Sequence, residues 1–213
     1  KTAKRLPLKN WRSINVSSVS KNIAGKAIID NFSLEIARGD KVLITGVSGS
    51  GKTTLMNILC GLLPLSKGHI TIGGRDLCYE DDSWFQEIAF VKQQSYIIDA
   101  NLIDNIKIVS KEYDDRRLQE IIAFLELEEL LDHVTLGENG VLISGGQRQR
   151  VSIARALYKR ASCIFMDEPT SALNDALSNK ILDYIVNEPN LTVVCISHNS
   201  DWVNSFDKHV VLC

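Results

Sequence analysis

Apolar residues in this chain gather into short blocks rich in β-branched side chains. Between the blocks, apolar positions recur at helical spacing. The blocks Lys41 to Thr45, His69 to Ile72, Ile88 to Val91, Cys163 to Met166, Leu191 to Ile196 and His209 to Leu212 have the length and composition of strands. Helical patterns run through Lys52 to Cys60, Asp114 to Leu125, Gln147 to Tyr158 and Asp175 to Val186. Nearly continuous apolar strands alternating with helices predict an α/β fold, with a mostly parallel sheet covered on both faces.

Two regions depart from that alternation. The first part, to about Ile72, alternates serine and valine (Val16-Ser17-Ser18-Val19-Ser20) and reads as an antiparallel β edge. The middle, residues 95–159, carries helical patterns without a convincing strand, and is expected to be a helical lobe inserted in a core formed by 1–94 and 160–213. There is no internal repeat and no low-complexity segment.

Composition narrows the class. A chain of 213 residues suits one substantial domain with room for an inserted lobe. Its hydrophobic content of 45% and charged content of 23% are ordinary for a globular protein. A formal net charge of −2 gives no general attraction to nucleic acid or to an anionic membrane surface, and no nucleic-acid partner is expected. The five cysteines, Cys60, Cys78, Cys163, Cys195 and Cys213, form no CxxC pair, and three of them sit in apolar runs. Buried thiols in a reducing compartment, hence the cytoplasmic side, explain them better than disulfides or a metal site. No run approaches the roughly 18 apolar residues of a membrane-spanning helix. The basic start Lys1 to Leu8 lacks the apolar core of a signal peptide and reads as a cut or processed end.

The chemistry begins at Gly46-Val47-Ser48-Gly49-Ser50-Gly51-Lys52-Thr53, a G-x4-GKT loop between an apolar strand and a helical pattern. That context is what a phosphate-binding loop requires. The glycines Gly46, Gly49 and Gly51 let the backbone wrap close to phosphate, with Ser48, Ser50 and Thr54 also at the loop. Free N–H groups at the following helix N-terminus then face the anion. Lys52 is expected on the β- and γ-phosphates of a nucleotide, and the Thr53 hydroxyl on Mg²⁺. A glycine-rich turn holding Lys and Thr by chance is the plainer explanation, but this spacing between strand and helix is uncommon.

A second acidic element fits the same site. Cys163-Ile164-Phe165-Met166-Asp167-Glu168 is an apolar strand ending in two carboxylates, at the sheet edge where open α/β folds bind ligands. Asp167 would hold Mg²⁺ through water, and Glu168 would be the base that activates the attacking water. Alone, such a pair usually marks a strand leaving the core; beside the phosphate loop it gains meaning.

About ninety positions after Lys52 comes Ile143-Ser144-Gly145-Gly146-Gln147, opening a helix. Ser144 and Gln147 have capping-box spacing, and a well-capped helix would account for them. A cap does not require Gly145 and Gly146, which bare backbone N–H groups at the positive end of the helix dipole. This is a second phosphate-binding surface, and a two-fold dimer could close it on the partner's nucleotide.

With these motifs in order, the chain resembles the nucleotide-binding domains of ABC transporters, whose signature is Leu-Ser-Gly-Gly-Gln, here with Ile143 in the first place. The resemblance covers nearly the whole chain. It implies a P-loop NTPase core, Mg-dependent ATP hydrolysis and a second nucleotide-binding domain, identical or not. It also implies a transmembrane domain, fused upstream or separate, at the cytoplasmic face of a membrane. Gln93, with Gln94 as the adjacent alternative, resembles the Q-loop glutamine near Mg²⁺ and water. His198 resembles the switch histidine at the γ-phosphate. Asn174 in Ser171-Ala172-Leu173-Asn174 stands where the family usually has Asp; it keeps an acceptor and loses the charge. No aromatic residue lies between Val16 and Ile29, where the family stacks adenine; Ile23 falls near that place, and Trp11 is further upstream.

Thr135-Leu136-Gly137-Glu138-Asn139-Gly140 and Asp99 to Ile106 resemble exporter patterns, favouring an exporter over an importer subunit. The rival from another class is a soluble ABC ATPase acting on nucleic acid or ribosomes. The spacing before the signature leaves no room for the long coiled coil of DNA-associated members.

Overall fold

The computed structural model describes residues 8, 10–79, 82–93, 95–108, 110 and 113–213. Residues 1–7 of the basic start, and Gln94, lie outside the described residues. Two sheets organise the chain. One is antiparallel, in the order β2-β1-β4-β5, built from β1 (Ser13–Ile23), β2 (Lys26–Ala37), β4 (Lys67–Ile72) and β5 (Arg75–Asp76). The other is wholly parallel, in the order β6-β7-β8-β3-β9. Its strands are β6 (Ile88–Val91), β7 (Cys163–Asp167), β8 (Thr192–Ile196), β3 (Lys41–Gly46) and β9 (Lys208–Leu212). The α/β class is as expected, and the six strand blocks read from the sequence all form.

The expected helices form as α1 (Lys52–Leu59), α4 (Asp115–Phe124), α5 (Gly145–Tyr158) and α6 (Asp175–Asn187). Two short ones, α2 (Asp82–Glu87) and α3 (Leu102–Lys107), were not anticipated. At six residues each they carry too little periodicity to be read from sequence. Residues 95–159 hold α3, α4, α5 and two 3₁₀ turns, with no strand among the described residues.

Side chains alternate strictly across the parallel sheet. Val42, Ile44, Cys163, Phe165, Val194 and Ile196 join a core with α1 and the antiparallel sheet. Leu43, Ile164, Met166, Val193 and Cys195 join another with α3, α4, α5 and α6. The sheet is therefore the wall between two apolar cores. Trp11, only 3% exposed, belongs to the first. Its indole donates to Ser162 Oγ at 2.9 Å, and its ring meets Trp84 edge-on at 5.7 Å.

The serine-valine alternation in β1 contains an irregularity with a structural answer. Ile14, Val16 and Val19 are all buried, although Val16 and Val19 are three apart and period two would oppose them. The pairing register shifts between these valines, and Ser18 has a φ of 50°, so a bulge returns Val19 to the core face. Gly68 on β4 accommodates it: a Cβ there would stand 2.4 Å from the Ser18 carbonyl oxygen.

Candidate functional site

Parallel strands deliver their C-terminal ends to one edge of the sheet, and the residues singled out above arrive there together. The loop after β3 runs into α1, Asp167 ends β7, and Gln93 and His198 follow β6 and β8 by two residues. Backbone bonds tie the edge: Glu168 N–H donates to the Ile196 carbonyl at 3.0 Å, and Ser197 N–H to that of Ile44 at 3.4 Å.

At the phosphate loop, Gly51 is the N-cap of α1 at φ 93°, with no side chain capping the helix. A Cβ at Gly51 would lie 2.8 Å from Ile29 Cδ1 and 2.9 Å from the Ile28 carbonyl, so glycine is demanded both by conformation and by space. The first-turn N–H groups of α1, including those of Thr53 and Thr54, are left for an anion. Lys52, buried, curls its Nζ back onto the Gly46 and Val47 carbonyls at 2.8 and 2.9 Å. Ser50 Oγ is buried without a hydrogen-bond partner. Ser48 and Gly49 are exposed along the loop. An uncapped helix start, a buried ammonium held by loop carbonyls and an orphaned hydroxyl suit a triphosphate.

The metal-binding expectation fits as well. Thr53 Oγ1 donates to Asp167 Oδ2 at 2.8 Å, bringing together the two residues read as Mg²⁺ ligands. Burial pushes the Asp167 carboxyl above its ordinary range; the Thr53 hydrogen bond works against this and neighbouring Glu168 adds to it. Lys52 and His198 also act against the rise, so burial is what dominates at this carboxylate. Among the described residues no three His, Cys, Asp or Glu side chains form a metal-binding group.

Glu168 is the hub. Its Oε2 accepts from Gln93 Nε2 at 3.1 Å, and its Oε1 lies 2.9 Å from His198 Nε2. Its backbone is left-handed at φ 49°, which costs a non-glycine residue about 1–2 kcal/mol. Pro169 follows it and by itself favours an extended conformation at Glu168. The surroundings therefore overrule two local preferences to hold this carboxylate in place.

The signature side chains find their hydrogen bonds outside this cluster. Ser144 caps α5 with a complete capping box: Ser144 Oγ accepts from Gln147 N–H at 3.1 Å, and Gln147 Oε1 from Ser144 N–H at 2.7 Å. Gln147 Nε2 turns to Glu129 at 2.8 Å, while Ser144 and Gly145 are exposed. Gly146 lies against the 172 peptide: a Cβ there would be 2.9 Å from the Ala172 carbonyl oxygen. Among the described residues, the Ser144 and Gln147 side chains each accept from the other's backbone N–H, and Gln147 also donates to Glu129.

Asn174 is the N-cap of α6, its side chain accepting from Leu177 N–H at 2.9 Å. Ile23 ends β1 at the hairpin tip, 45% exposed and paired with Lys26. Trp11 is a core residue bonded to Ser162, beside the opposite end of β7 from Asp167, so it offers no surface for a base at this site. The two exporter-like segments meet: Leu136 N–H donates to the Ala100 carbonyl at 2.9 Å, Asn139 N–H to that of Ile97 at 3.0 Å, and Thr135 bonds Asp99.

Sequence reasoning missed Gln149, buried on α5 and bonded to the Glu168 carbonyl. A signal existed: position 149 lies on the same helical stripe as buried Ser152, Ile153 and Ala156, and a glutamine on a core stripe calls for polar partners. It also missed Arg155, whose guanidinium bonds the Asn105 carbonyl at 2.7 Å and the Tyr96 carbonyl, fastening α5 to the segment after Gln93.

Residues 29–171 match the family described as ABC transporter. The chain is 35% identical over 188 residues to the colicin V secretion/processing ATP-binding protein CvaB of Escherichia coli, covering 85% of this chain and 27% of that protein. It is 32% identical over 213 residues to an ATP-dependent lipid A-core flippase of Neisseria gonorrhoeae, covering 95% of this chain and 33% of the relative. The chain thus spans only a third or less of the length of these curated relatives. The solved structure of a bacterial Atm1-family ABC exporter with ATP bound superposes with a TM-score of 0.90 at 26% identity, over 100% of this chain and 38% of that one. No helix among the described residues is long and apolar enough to cross a membrane. On its motifs, its fold and these matches, the chain belongs to the ABC transporter family and has the ATP-binding, ATPase-domain fold of an exporter.

Proposed function

We propose that this domain hydrolyses Mg-ATP as one of a pair and that the hydrolysis drives a transmembrane domain at the cytoplasmic face of a membrane. The observation that carries the reading is the Glu168 carboxylate, held between Gln93 and His198 beside the Thr53–Asp167 pair. Lys52 and the backbone of Gly46 to Thr54 bind the triphosphate. Thr53, Asp167 and Gln93 would hold Mg²⁺, which would neutralise charge on the phosphate oxygens. Glu168 takes the proton of the attacking water, and His198, bonded to the same carboxylate, stands at the γ-phosphate.

The exposure of Ser144 and Gly145 at the start of α5 supports a site shared between two subunits. Ser144, Gly145, Gly146 and Gln147 of one domain would cover the nucleotide on its partner, whether an identical copy or a related one. ATP then favours the closed pair, and its hydrolysis releases it, moving the attached domain through differential binding to the two states. Relatives named for secretion and for lipid A-core flipping support export; the membrane domain of this reading is fused upstream or is a separate chain. Within this reading, residues 95–159 act as the lobe that carries the signature towards the partner.

Glu168→Gln tests the assignment. In the full-length protein it should retain ATP binding, lose hydrolysis by at least about a hundredfold and accumulate an ATP-bound closed pair. Chelating Mg²⁺ should abolish turnover in the wild type, and re-addition should restore it. Wild-type turnover in the variant would remove Glu168 from the mechanism.

A further inference from the structure

Gln149 carries no charge and faces the core, yet both ends of its amide are occupied. Its Nε2 donates to the Glu168 carbonyl at 2.8 Å and to Ser171 Oγ at 3.2 Å. Its Oε1 accepts from Ala172 N–H at 2.9 Å. The residue is 4% exposed, so its own amide depends on these three bonds, although Ser171 and Ala172 themselves reach solvent. A planar amide fixes the separation of its donor and acceptor. It therefore sets the span from the Glu168 carbonyl to the Ala172 amide across Pro169, Thr170 and Ser171.

This span includes the one residue of the hydrolytic cluster whose backbone defies its local preferences. Glu168 is left-handed ahead of a proline. Its amide is anchored on one side by the Ile196 carbonyl at 3.0 Å, from β8. Its carbonyl is anchored on the other side by Gln149, from α5. With either anchor gone, the peptide is free to relax toward the extended region, and the carboxylate swings away from Gln93 and His198.

We infer that Gln149 is a positioning residue for hydrolysis, holding the Glu168 backbone in the conformation that presents its carboxylate to the attacking water. The inference rests on the reading of Glu168 as the base. It adds that base placement depends on α5, the helix whose N-cap is Ser144. The exposed end that would meet a partner's nucleotide and the clamp on this subunit's own base belong to one rigid element.

The test uses the full-length protein with two substitutions, and Glu168→Gln as a parallel control. Gln149→Leu keeps the side-chain volume and removes all three bonds. It should lower kcat at least tenfold while the dissociation constant for ATP, measured with a fluorescent ATP analogue, stays within twofold. Gln149→Glu keeps the acceptor for Ala172 and sets a carboxylate against the Glu168 carbonyl. Its kcat should be as low as that of Gln149→Leu at neutral pH. Relative to wild type it should recover as acid protonates the new carboxyl and restores a donor. That inverted acid limb is a signature that a purely structural glutamine would not produce. Should Gln149→Leu fail to fold, the pH profile of Gln149→Glu decides. Wild-type kcat in both variants, or a Gln149→Glu profile parallel to wild type, overturns the inference. If Glu168→Gln is inactive in those same assays, the base survives and only the clamp is lost; if Glu168→Gln turns over normally, the base assignment fails first.

Discussion

Replacing Asn174 by alanine and by aspartate separates two roles that the sequence alone leaves entangled. The residue caps α6, its Oδ1 accepting from Leu177 N–H at 2.9 Å, and its own carbonyl accepts from Ser178 Oγ at 2.8 Å. Alanine removes the side-chain cap and should cost about 1 kcal/mol. A domain of this length unfolds with an entropy of about 0.45 kcal/mol per kelvin, so the midpoint should fall by about 2 °C. Aspartate keeps the acceptor and adds negative charge at the helix N-terminus, a gain of about 0.3–1 kcal/mol. Asp175 next to it opposes part of that gain, so the midpoint should stay level or rise by about 1–2 °C. Thermal unfolding followed by far-UV circular dichroism, without nucleotide and at matched concentration, reads both variants. Because the cap fixes where the 170–173 turn ends, ATP hydrolysis should suffer more in Asn174→Ala than in Asn174→Asp. An aspartate variant that melts as low as the alanine variant would refute the capping account, since both caps accept the same bond.

Two further outcomes follow from single positions. Gly51→Ala should abolish measurable ATP binding and lower the melting midpoint by at least about 4 °C, because the left-handed backbone and the contacts with Ile28 and Ile29 both oppose a side chain; ATP affinity within twofold of wild type would contradict it. Lys41 is buried, with its Nζ donating to the carbonyls of Gly39, Glu188 and Leu191, and burial lowers its pKa while Asp207, Glu188 and Asp40 pull it partly back. The folded protein releases this proton before the unfolded chain does, so Lys41 makes stability rise as pH climbs from the lowered value towards 10.5. The urea midpoint of wild type minus that of Lys41→Met should therefore grow as pH rises towards 10.5, and a constant difference would refute the linkage.

The parallel sheet was legible because strands buried on both faces must be apolar throughout, and such runs stand out when flanked by Gly46 or by Asp167 and Glu168. The phosphate loop was legible because its chemistry is contiguous in the chain. What stayed hidden depends on distant partners. Gln149 acquires its role from residues that lie far along the chain, and only its place on a buried helical stripe hinted at it. Asn174 read as a departure from a family motif, yet it is a serviceable cap. Trp11 lies upstream of the place where the family stacks adenine, and its indole is used by the core. The strain at Glu168 was illegible in principle, because left-handed glutamate is imposed by β8 and α5 against what its own neighbours prefer.

The position of β3 has a consequence for the order in which the molecule can be made. This strand leads into the phosphate loop early in the chain, yet both of its sheet neighbours, β8 and β9, come from residues 192–212. A ribosome that has just released α1 has produced the whole nucleotide loop, but not the strands that must flank it. Gly46 cannot reach its final packing, pressed against the Leu212 carbonyl, until β9 has emerged. During vectorial synthesis the nascent chain is therefore unable to assemble its ATP site around the loop alone. Nucleotide binding is deferred to the end of translation of this segment, when the signature and the acidic strand already exist.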